Sequence, residues 1–347
     1  SNRNLIINGA MQVAQRGTST TGVTSTEYGA DRFALQLNSI GTYTLSQSST
    51  APDGFSNSFK IDCTTADASP AAGDYSLLTH KIEAQNLQHL GYGTSSAKAI
   101  TLSFYLRSNK TGSISVVIRQ IDNSNKMFSK QVTINAADTW ERKTVSIPAD
   151  TSGVINDDNG TGLDISWWLN AGSTYSGGSE MTTWGTEDNT AKYLGDLDIG
   201  ALTTDEFYIT GVQMEVGEVA TPFEHRSFGE ELALCQRYFQ QWTQEASGFS
   251  TNNYAAVCDA VMHSSTLPFM QYVHPTVLRA TPSLTFNGSF AANISGSDYG
   301  MSGFTPNTST PYVTSFYAST GSAGAGKAGF MRASNDGDAS IFFDSEL

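Results

Sequence analysis

Short runs of alternating apolar and polar residues fill the chain from residue 31 to residue 215 and constrain its fold more than any other feature. A period of two residues is typical of a β-strand with one face on a core, because successive side chains point to opposite faces. Clusters of Gly, Asn, Asp, Ser and Pro separate the runs, as they do in β-sandwiches and barrels. The runs predict core faces that carry Phe33, Leu35 and Leu37, then Phe59, Ile61 and Cys63, then Leu102, Phe104 and Leu106, and then Ile165, Trp167 and Leu169.

The run EFYITGVQMEVG changes phase at Gly211. Phe207 and Ile209 share one face before the glycine, whereas Val212 and Met214 share a face after it. A glycine at a change of phase is typical of a β-bulge, in which one extra residue is inserted into a strand. We therefore predict a bulge at Gly211.

One convincing helix follows Pro222, over residues 227–242. Ser227 and Glu230 form the S-x-x-E capping box, in which the two side chains satisfy free backbone donors at a helix start. The apolar positions within this segment follow the spacing of a coiled-coil seam. The seam packs either on its own domain or against other copies of the chain in an oligomer. The seam residues are Leu232, Cys235, Phe239 and Trp242.

Residues 243–347 predict a second, smaller β domain, because strand-like runs continue among Ser, Gly, Thr and Asn. The expected organisation is a β domain over residues 1–226, a linking helix over 227–242 and this C-terminal β domain. Pro275 and Pro282 confine the piece between them to a sheet edge or a connection. The predicted strands of the C-terminal domain lie in YAAVCDAVMH, SLTFNGSF, YVTSFYAS and SIFFDSEL.

The charge composition makes some classes of binding partner unfavourable. Charged residues make up only 15% of the chain, and 33 acidic against 19 basic residues give a net charge of −14. This charge repels phosphate backbones and disfavours nucleic acid and anionic membranes as partners. No run reaches the ~18 apolar residues of a membrane helix, and the opening segment lacks a signal-peptide pattern, so we expect no membrane insertion.

Several blocks of the sequence together resemble a family of phage tail-fibre and related structural proteins. The blocks are NLIINGAMQVAQRGTS, ADRF, FYITGVQMEVGEVATPFEHRSFGEELALCQRYFQ and VLRATPSLTF. The resemblance implies a jelly-roll domain similar to carbohydrate-binding modules, a following helix and a variable C-terminal β domain. It also implies an extracellular virion component, a homotrimer attached to other tail proteins, that recognises polysaccharide or lipopolysaccharide on a bacterial surface.

Strand alternation predicts which aromatic side chains a glycan can reach. Trp168 faces away from the Trp167 side and shares its face with Asp164, an arrangement that offers a sugar both an aromatic plate and hydrogen-bonding groups. By the same alternation, Tyr105, Arg107 and Tyr208 point away from the core. These residues either bind a glycan or cover a second sheet or a neighbouring subunit.

The long polar segment between residues 171 and 195 contains Trp184 and Tyr193. Loops at the ends of a sandwich commonly carry recognition, and an exposed tryptophan there is suited to binding. Trp184 is therefore a second candidate for sugar binding, together with Tyr193. The alternative is that Trp184 closes the open end of the sandwich.

Two short motifs resemble a metal site and a nucleotide site, but each lacks a residue that such a site needs. Asp157 and Asn159 imitate the start of a calcium loop, but Trp168 stands where the twelfth ligand belongs, so an EF-hand is excluded and an Asp-rich turn is the default. Jelly-roll sugar-binding modules often hold a structural calcium, and that ion remains the one candidate cofactor. The GxxxxGK match ending at Lys327 lacks the following Ser or Thr and predicts no nucleotide site.

No catalytic motif stands out, since HExxH and GxSxG are absent and the histidines have no triad spacing. We therefore expect a non-enzymatic receptor-binding protein. A tail-associated polysaccharide depolymerase is the first alternative, because the two carboxylates of a glycosidase leave no spacing signature. A purely structural virion protein is the second.

Overall fold

The computed structural model describes residues 3–244 and 254–347. Residues 1–2, and residues 245–253 at the start of the predicted C-terminal domain, lie outside the described part. The chain forms two compact units, Ser1–Cys235 with Leu347 and Gln236–Glu346. Within the described residues, no helix has the length and apolar character needed to cross a membrane.

The first unit is built almost entirely of antiparallel strands. Short 3₁₀ turns at Ala84–Leu90, Ile121–Asn123 and Asn189–Ala191 connect some of them. The described strands are, in chain order, β1 (Ser19–Val23), β2 (Glu27–Tyr28), β3 (Ala34–Asn38), β4 (Thr42–Ser48), β5 (Ser58–Thr65), β6 (Tyr75–Glu83), β7 (Ile100–Ser108), β8 (Gly112–Gln120), β9 (Lys126–Ile134), β10 (Glu141–Ile147), β11 (Thr161–Ala171), β12 (Met181–Gly185) and β13 (Glu206–Val216).

Two sheets of these strands form an antiparallel jelly-roll β-sandwich, as predicted. Among the described residues, one sheet has six strands in the order β1-β4-β5-β13-β7-β10. The other has seven, in the order β12-β9-β8-β11-β6-β3-β2. Non-consecutive neighbours such as β13 beside β5 and β7 show that the chain crosses repeatedly between sheets, so the core depends on contacts between residues that are distant in sequence.

The predicted core faces are confirmed. Trp167, Phe104 and Phe33 are fully buried, and the Trp167 ring lies 5.7 Å from the Phe104 ring and 6.3 Å from the Phe33 ring, measured between centroids. Burying one aromatic side chain of this size stabilises a fold by roughly 2–3 kcal/mol relative to leaving it in water. The alternate side chains of the strands are therefore buried between the two sheets, and this burial stabilises the sandwich.

The predicted bulge at Gly211 is also confirmed. Pairing between β13 and β7 changes register between Thr210 and Gln213, and Gly211 has φ of +61°. A Cβ atom at this position would lie 2.8 Å from ring atoms of both Phe55 and Tyr105. Glycine is required here for the left-handed backbone and for the close approach of the two rings.

The opening segment and the start of the predicted helix, both parts of the resemblance, meet in space. The carboxylate of Glu231 accepts a hydrogen bond from the backbone N–H of Asn8 at 2.5 Å and lies 3.3 Å from the Arg226 guanidinium, which also donates to the carbonyl oxygen of Ile6 at 2.9 Å. Because Glu231 is buried, its charge needs Asn8 and Arg226 as partners. These contacts join the two blocks.

The predicted helix over residues 227–242 is wrong in its extent. Helix α1 spans Phe228–Gln236, and the capping box is present, with the Ser227 N–H donating to the Glu230 carboxylate at 3.0 Å. The chain then becomes strand β14 (Phe239–Thr243), in which the Phe239 ring packs on Phe342 and Trp242 packs against the core of the second unit. Aromatic residues favour strands. The four proposed seam residues therefore do not form one helical seam.

The second unit is also all β, as predicted, but its main sheet closes into a barrel. Its described strands after β14 are β15 (Ala256–Met262), β16 (Pro268–Val273), β17 (Ser283–Asn287), β18 (Phe290–Ile294), β19 (Ser297–Pro306), β20 (Val313–Ser319), β21 (Ala328–Ala333) and β22 (Ser340–Asp344). Among them, β14 joins a three-stranded sheet in the order β14-β22-β17, and the barrel order is β15-β16-β20-β19-β18-β21. The connection between Pro275 and Pro282 lies outside the strands, as expected.

A buried ion pair fixes the loop after β10. Both carboxylate oxygens of Asp150 lie within 2.7 Å of the Lys126 ammonium, and the Gln120 amide donates to one of them at 2.7 Å. Burial raises the pKa of the Asp150 carboxyl, but the hydrogen bonds from Lys126, Ser152 and Gln120 outweigh it and lower the pKa to about 2. The pair therefore stabilises the folded state at neutral pH.

We expect Gly211→Ala to lower the free energy of unfolding by about 2 kcal/mol, because it adds backbone strain and a clash with two rings. Urea denaturation followed by fluorescence measures this loss. Gly229→Ala in α1 is the matched control, since nothing lies within 4 Å of its added Cβ atom. Equal stability of the two variants would contradict the bulge.

Acid should weaken the Asp150 pair. The carboxylate contributes stability above its unfolded pKa, and this contribution of about 2 kcal/mol is lost as pH falls from about 4 through the folded pKa of about 2. Unfolding free energies measured across this range should fall less steeply for Asp150→Asn than for the original protein. Asp157→Asn, in an exposed loop, should leave the slope unchanged.

Candidate functional site

Polar side chains and one indole lie at alternate positions on the outer face of the seven-stranded sheet. On β11, the side chains of Asp164, Ser166 and Trp168 alternate with the core residues, as predicted. Asp164 lies opposite Arg119 of β8, and Trp168 lies opposite Leu77 of β6. Regular pairing thus places a charged pair and an indole side by side on one face.

Trp168 is covered more fully than the sequence suggested. Its side chain points away from the sandwich core, as predicted, but the residue is only 5% exposed. Residues of the segment after β11 fold across the sheet and pack on the indole, so it is not an open plate. This second apolar cluster consists of Leu77, Val117, Met127, Trp168, Ala191 and Tyr193, with Tyr75, Ala171, Tyr175 and Met181 packed against it.

Three rings form an aromatic cluster, defined here as Tyr75, Trp168 and Tyr175. Ring centroids are 5.5 Å apart for Tyr75 and Trp168, 5.3 Å for Trp168 and Tyr175, and 5.4 Å for the two tyrosines. The indole N–H of Trp168 donates to the Ser166 hydroxyl at 3.2 Å. The ammonium of Lys192 lies 5.7 Å from the Tyr175 ring centroid and 5.9 Å from the Trp168 ring centroid. These contacts fix the orientation of all three rings.

A cavity of about 110 Å³ opens between the aromatic cluster and the charged part of the sheet. We call it the sheet-face cavity. One side offers ring surface, and the other offers amide, hydroxyl, carboxylate and cationic groups. Its lining residues are Gln36, Tyr75, Leu77, Val117, Arg119, Asp164, Ser166, Trp168, Tyr175 and Lys192.

Four charged side chains beside the cavity form an ionic network, defined as Asp164, Arg119, Glu187 and Lys192. The Arg119 guanidinium lies 2.5 Å from an Asp164 oxygen and 3.3 Å from a Glu187 oxygen, and the Lys192 ammonium lies 2.6 Å from that same Glu187 oxygen. The Thr79 hydroxyl donates to the other Asp164 oxygen at 2.6 Å. Positive and negative groups therefore alternate along the network.

The ion pairs of the network shift the pKa values of Glu187 and Arg119. Burial raises the pKa of the Glu187 carboxyl, but Lys192 and Arg119 outweigh it, so that pKa lies below its usual value. Burial lowers the pKa of the Arg119 guanidinium, but the charge and hydrogen bond of Asp164, with those of Glu187, raise it above its usual value. Both shifts favour the charged forms of Glu187 and Arg119 at neutral pH.

A second, more open cavity has a volume of about 380 Å³. Tyr175 and Lys192 line the sheet-face cavity, and the next residues along the chain, Ser176 and Tyr193, line the second one. Tyr193 was predicted as a binding residue and is 4% exposed. Its hydroxyl donates to Asp198 at 2.7 Å, and burial together with this bond raises its pKa. Tyr193 therefore shapes the border of the second cavity.

Three other predicted residues lie on the six-stranded sheet, away from the sheet-face cavity. Tyr208 is buried between the Arg107 guanidinium, 5.0 Å from its ring centroid, and the Lys60 ammonium, at 5.6 Å. Arg107 pairs with Asp138 at 2.7 Å, and the Tyr105 ring packs on Phe55. The structure therefore divides the predicted binding residues between two sheets.

Trp184 does not line the sheet-face cavity. Its indole N–H donates to the carbonyl oxygen of Pro148 at 2.8 Å, and its ring packs near Tyr92 and Phe128 against the main core. Trp184 is therefore half-buried against the main core, and its role in closing the open end of the sandwich stays a prediction.

The candidate calcium residues Asp157 and Asn159 lie in the exposed loop before β11. In the same loop, Asp158 accepts a hydrogen bond from the backbone N–H of Gly160 at 2.8 Å, as in an Asx turn. Within the described residues, no group of three or more His, Cys, Asp or Glu side chains could hold a metal ion. The calcium site stays a prediction.

Sequence reasoning missed several residues of the cavity. Arg119 could have been found, because it alternates with Ile118 in the run SISVVIRQI. Tyr75, Tyr175, Glu187 and Lys192 could not, because their approach to Trp168 depends on strand order and on the path of the long segment after β11.

No protein-family model matches the chain, and no curated protein sequence matches it. Among solved structures, the chain is similar to the enzymatically active domain of tailspike protein 4 of bacteriophage CBA120, at 12% identity and a TM-score of 0.31, over 62% of this chain and 21% of that one. The chain therefore spans about a fifth of that tailspike structure.

Two carbohydrate-binding modules are also similar. One belongs to family 4, with 15% identity and a TM-score of 0.33 over 61% of this chain and 99% of that one. The other is a family 11 module from Clostridium thermocellum in complex with a β-1,3-1,4-mixed-linked tetrasaccharide, with 12% identity and a TM-score of 0.29 over 59% of this chain and 99% of that one. Scores this low carry no conclusion about function.

We expect Trp184→Phe to lower the free energy of unfolding by about 1 kcal/mol, because the Pro148 carbonyl loses its indole donor. Thermal and urea denaturation measure the change. Trp140→Phe, which makes the same change at a half-buried tryptophan beside the other sheet, is the matched control. A Trp184→Phe variant of unchanged stability would contradict the structural role.

Proposed function

We propose that the chain is a non-enzymatic glycan-binding protein of a phage tail fibre, which recognises polysaccharide or lipopolysaccharide on a bacterial surface. The observation that supports this most is the sheet-face cavity, where the aromatic cluster faces the ionic network. The virion location and the homotrimer rest on the sequence resemblance, and they form part of the proposal on that basis.

The chemistry of the cavity suits a sugar. The C–H groups of a pyranose ring pack on aromatic faces, and its hydroxyls form hydrogen bonds with charged and amide groups. Tyr175 offers a half-buried ring, while Gln36, Asp164 and Lys192 offer polar atoms around the same space. Because the cavity is smaller than the ~300–1,000 Å³ of typical drug-sized sites, it suits one sugar unit of a glycan.

The electrostatics favour binding over hydrolysis. A glycosidase needs one carboxylic acid whose pKa is raised, so that it can donate a proton to the leaving group. Asp164 and Glu187 both pair with Arg119, and the pKa of Glu187 is lowered. Glu187 therefore lacks the raised pKa that a catalytic acid needs, and the Asp164 carboxylate is already bound to the Arg119 guanidinium.

One feature keeps the depolymerase as the alternative: two carboxylates share a single guanidinium and so lie near each other. Incubation with host capsule or lipopolysaccharide separates the two functions, because hydrolysis releases new reducing ends. We expect none. A third outcome, in which no glycan binds, would favour a purely structural virion protein.

We expect Tyr175→Ala to weaken binding to the host polysaccharide about tenfold, because it removes one aromatic wall of the cavity. Isothermal titration calorimetry measures the affinity. Tyr312→Ala is the control, since Tyr312 is 61% exposed and belongs to the second unit. Binding by Tyr175→Ala that equals the control would show that the cavity is not the site.

A further inference from the structure

We propose that the ionic network makes the sheet-face cavity selective for uncharged sugar units and that Glu187 sets this selectivity. The inference rests on the proposed function, that the cavity binds glycans. It adds the chemical class of the sugar and names a positioning residue that does not itself line the cavity.

The charges of the network balance. Asp164 and Glu187 supply two carboxylates, and Arg119 and Lys192 supply two cations. Each cation lies within 2.6 Å of at least one carboxylate oxygen. An incoming ligand therefore meets groups that are ionised, oriented and already paired.

Two further lysines on this sheet, Lys81 and Lys130, bind groups outside the network. Lys81 lies opposite Asp164 on β6, but its ammonium donates to the carbonyl oxygen of Leu347 at 2.7 Å and does not line the cavity. Beside the second cavity, Lys130 pairs with Glu180 at 2.6 Å. The charged residues that line the sheet-face cavity, Arg119, Asp164 and Lys192, all belong to the network.

A charged sugar can pair with the network residues only by breaking one of their ion pairs. The carboxylate of a uronic acid can gain a cation only by taking Arg119 or Lys192 from its present partner. Displacing Arg119 would leave Asp164, which is 4% exposed, with a poorly compensated charge, and such a loss is costly. An amino sugar would likewise compete with Lys192, whose side chain is 10% exposed, for the Glu187 carboxylate.

An uncharged sugar avoids this cost. Its hydroxyls can donate to the remaining lone pairs of Asp164 and accept from the free N–H groups of Lys192 without separating any ion pair. Paired groups also lose little freedom on binding, because the network already holds them. A neutral unit is therefore the ligand that the cavity accepts with the least rearrangement.

Glu187 is the residue whose change reverses the preference. It compensates Lys192 and one edge of Arg119, and its side chain is 24% exposed, against 6% for Asp164. Glu187→Gln removes one negative charge while Asp164 still holds Arg119. Lys192 then becomes free to bind the carboxylate of a uronic acid.

The experiment compares methyl glycosides of galactose, galacturonic acid and galactosamine, and of the matching glucose series, by saturation-transfer NMR titration on the full chain. For the original protein, we expect the neutral sugar of the better series to bind at least about fivefold more tightly than its charged counterparts. For Glu187→Gln, we expect uronate affinity to rise about fivefold or more while the neutral sugar changes less than about twofold.

Glu180→Gln is the matched control, since Glu180 also pairs with a lysine but lines the second cavity. It should leave the order of affinities unchanged. If the original protein binds uronate or amino sugar as tightly as neutral sugar, or if Glu187→Gln leaves the ratio of uronate to neutral affinity unchanged, the inference is overturned while glycan binding stands. If none of the sugars binds, the proposed function falls with it.

Discussion

The two-residue period of β11 is the constraint on which the rest of the first unit depends. It sends Trp167 into the core between the sheets and Trp168 to the opposite face. One strand therefore supplies the anchor of the main core and the base of the candidate site. A shift of one residue in its pairing would exchange the two indoles and lose both.

The residues that cover the outer face of the seven-stranded sheet determine which groups this face presents. A bare sheet would expose Trp168, but Tyr75, Tyr175 and the segment through Tyr193 bury it and leave a cavity at its edge. The cover buries apolar surface, so it stabilises the fold, and it also brings Lys192 and Glu187 to Arg119. Several of the residues that pack on Trp168 thus also line the candidate site.

The acidic composition does not make the site acidic. The chain carries a net charge of −14, yet the ionic network contains equal numbers of carboxylates and cations. Basic residues are scarce, and several of them form ion pairs with buried carboxylates. Examples are Lys126 with Asp150 and Lys110 with Asp205.

Local patterns in the sequence predict the β class, the core faces of the strands, the bulge at Gly211 and the outward direction of Trp168, because all of these follow from the two-residue period and from glycine. The capping box at Ser227 likewise predicts the start of α1. The end of the helix could not be predicted, because β14 is stabilised by pairing with β22, which lies about a hundred residues further along the chain. The packing of Trp184 on the core and the meeting of Arg119, Glu187 and Lys192 follow from strand order and loop path, which bring distant segments together and cannot be read from local spacing.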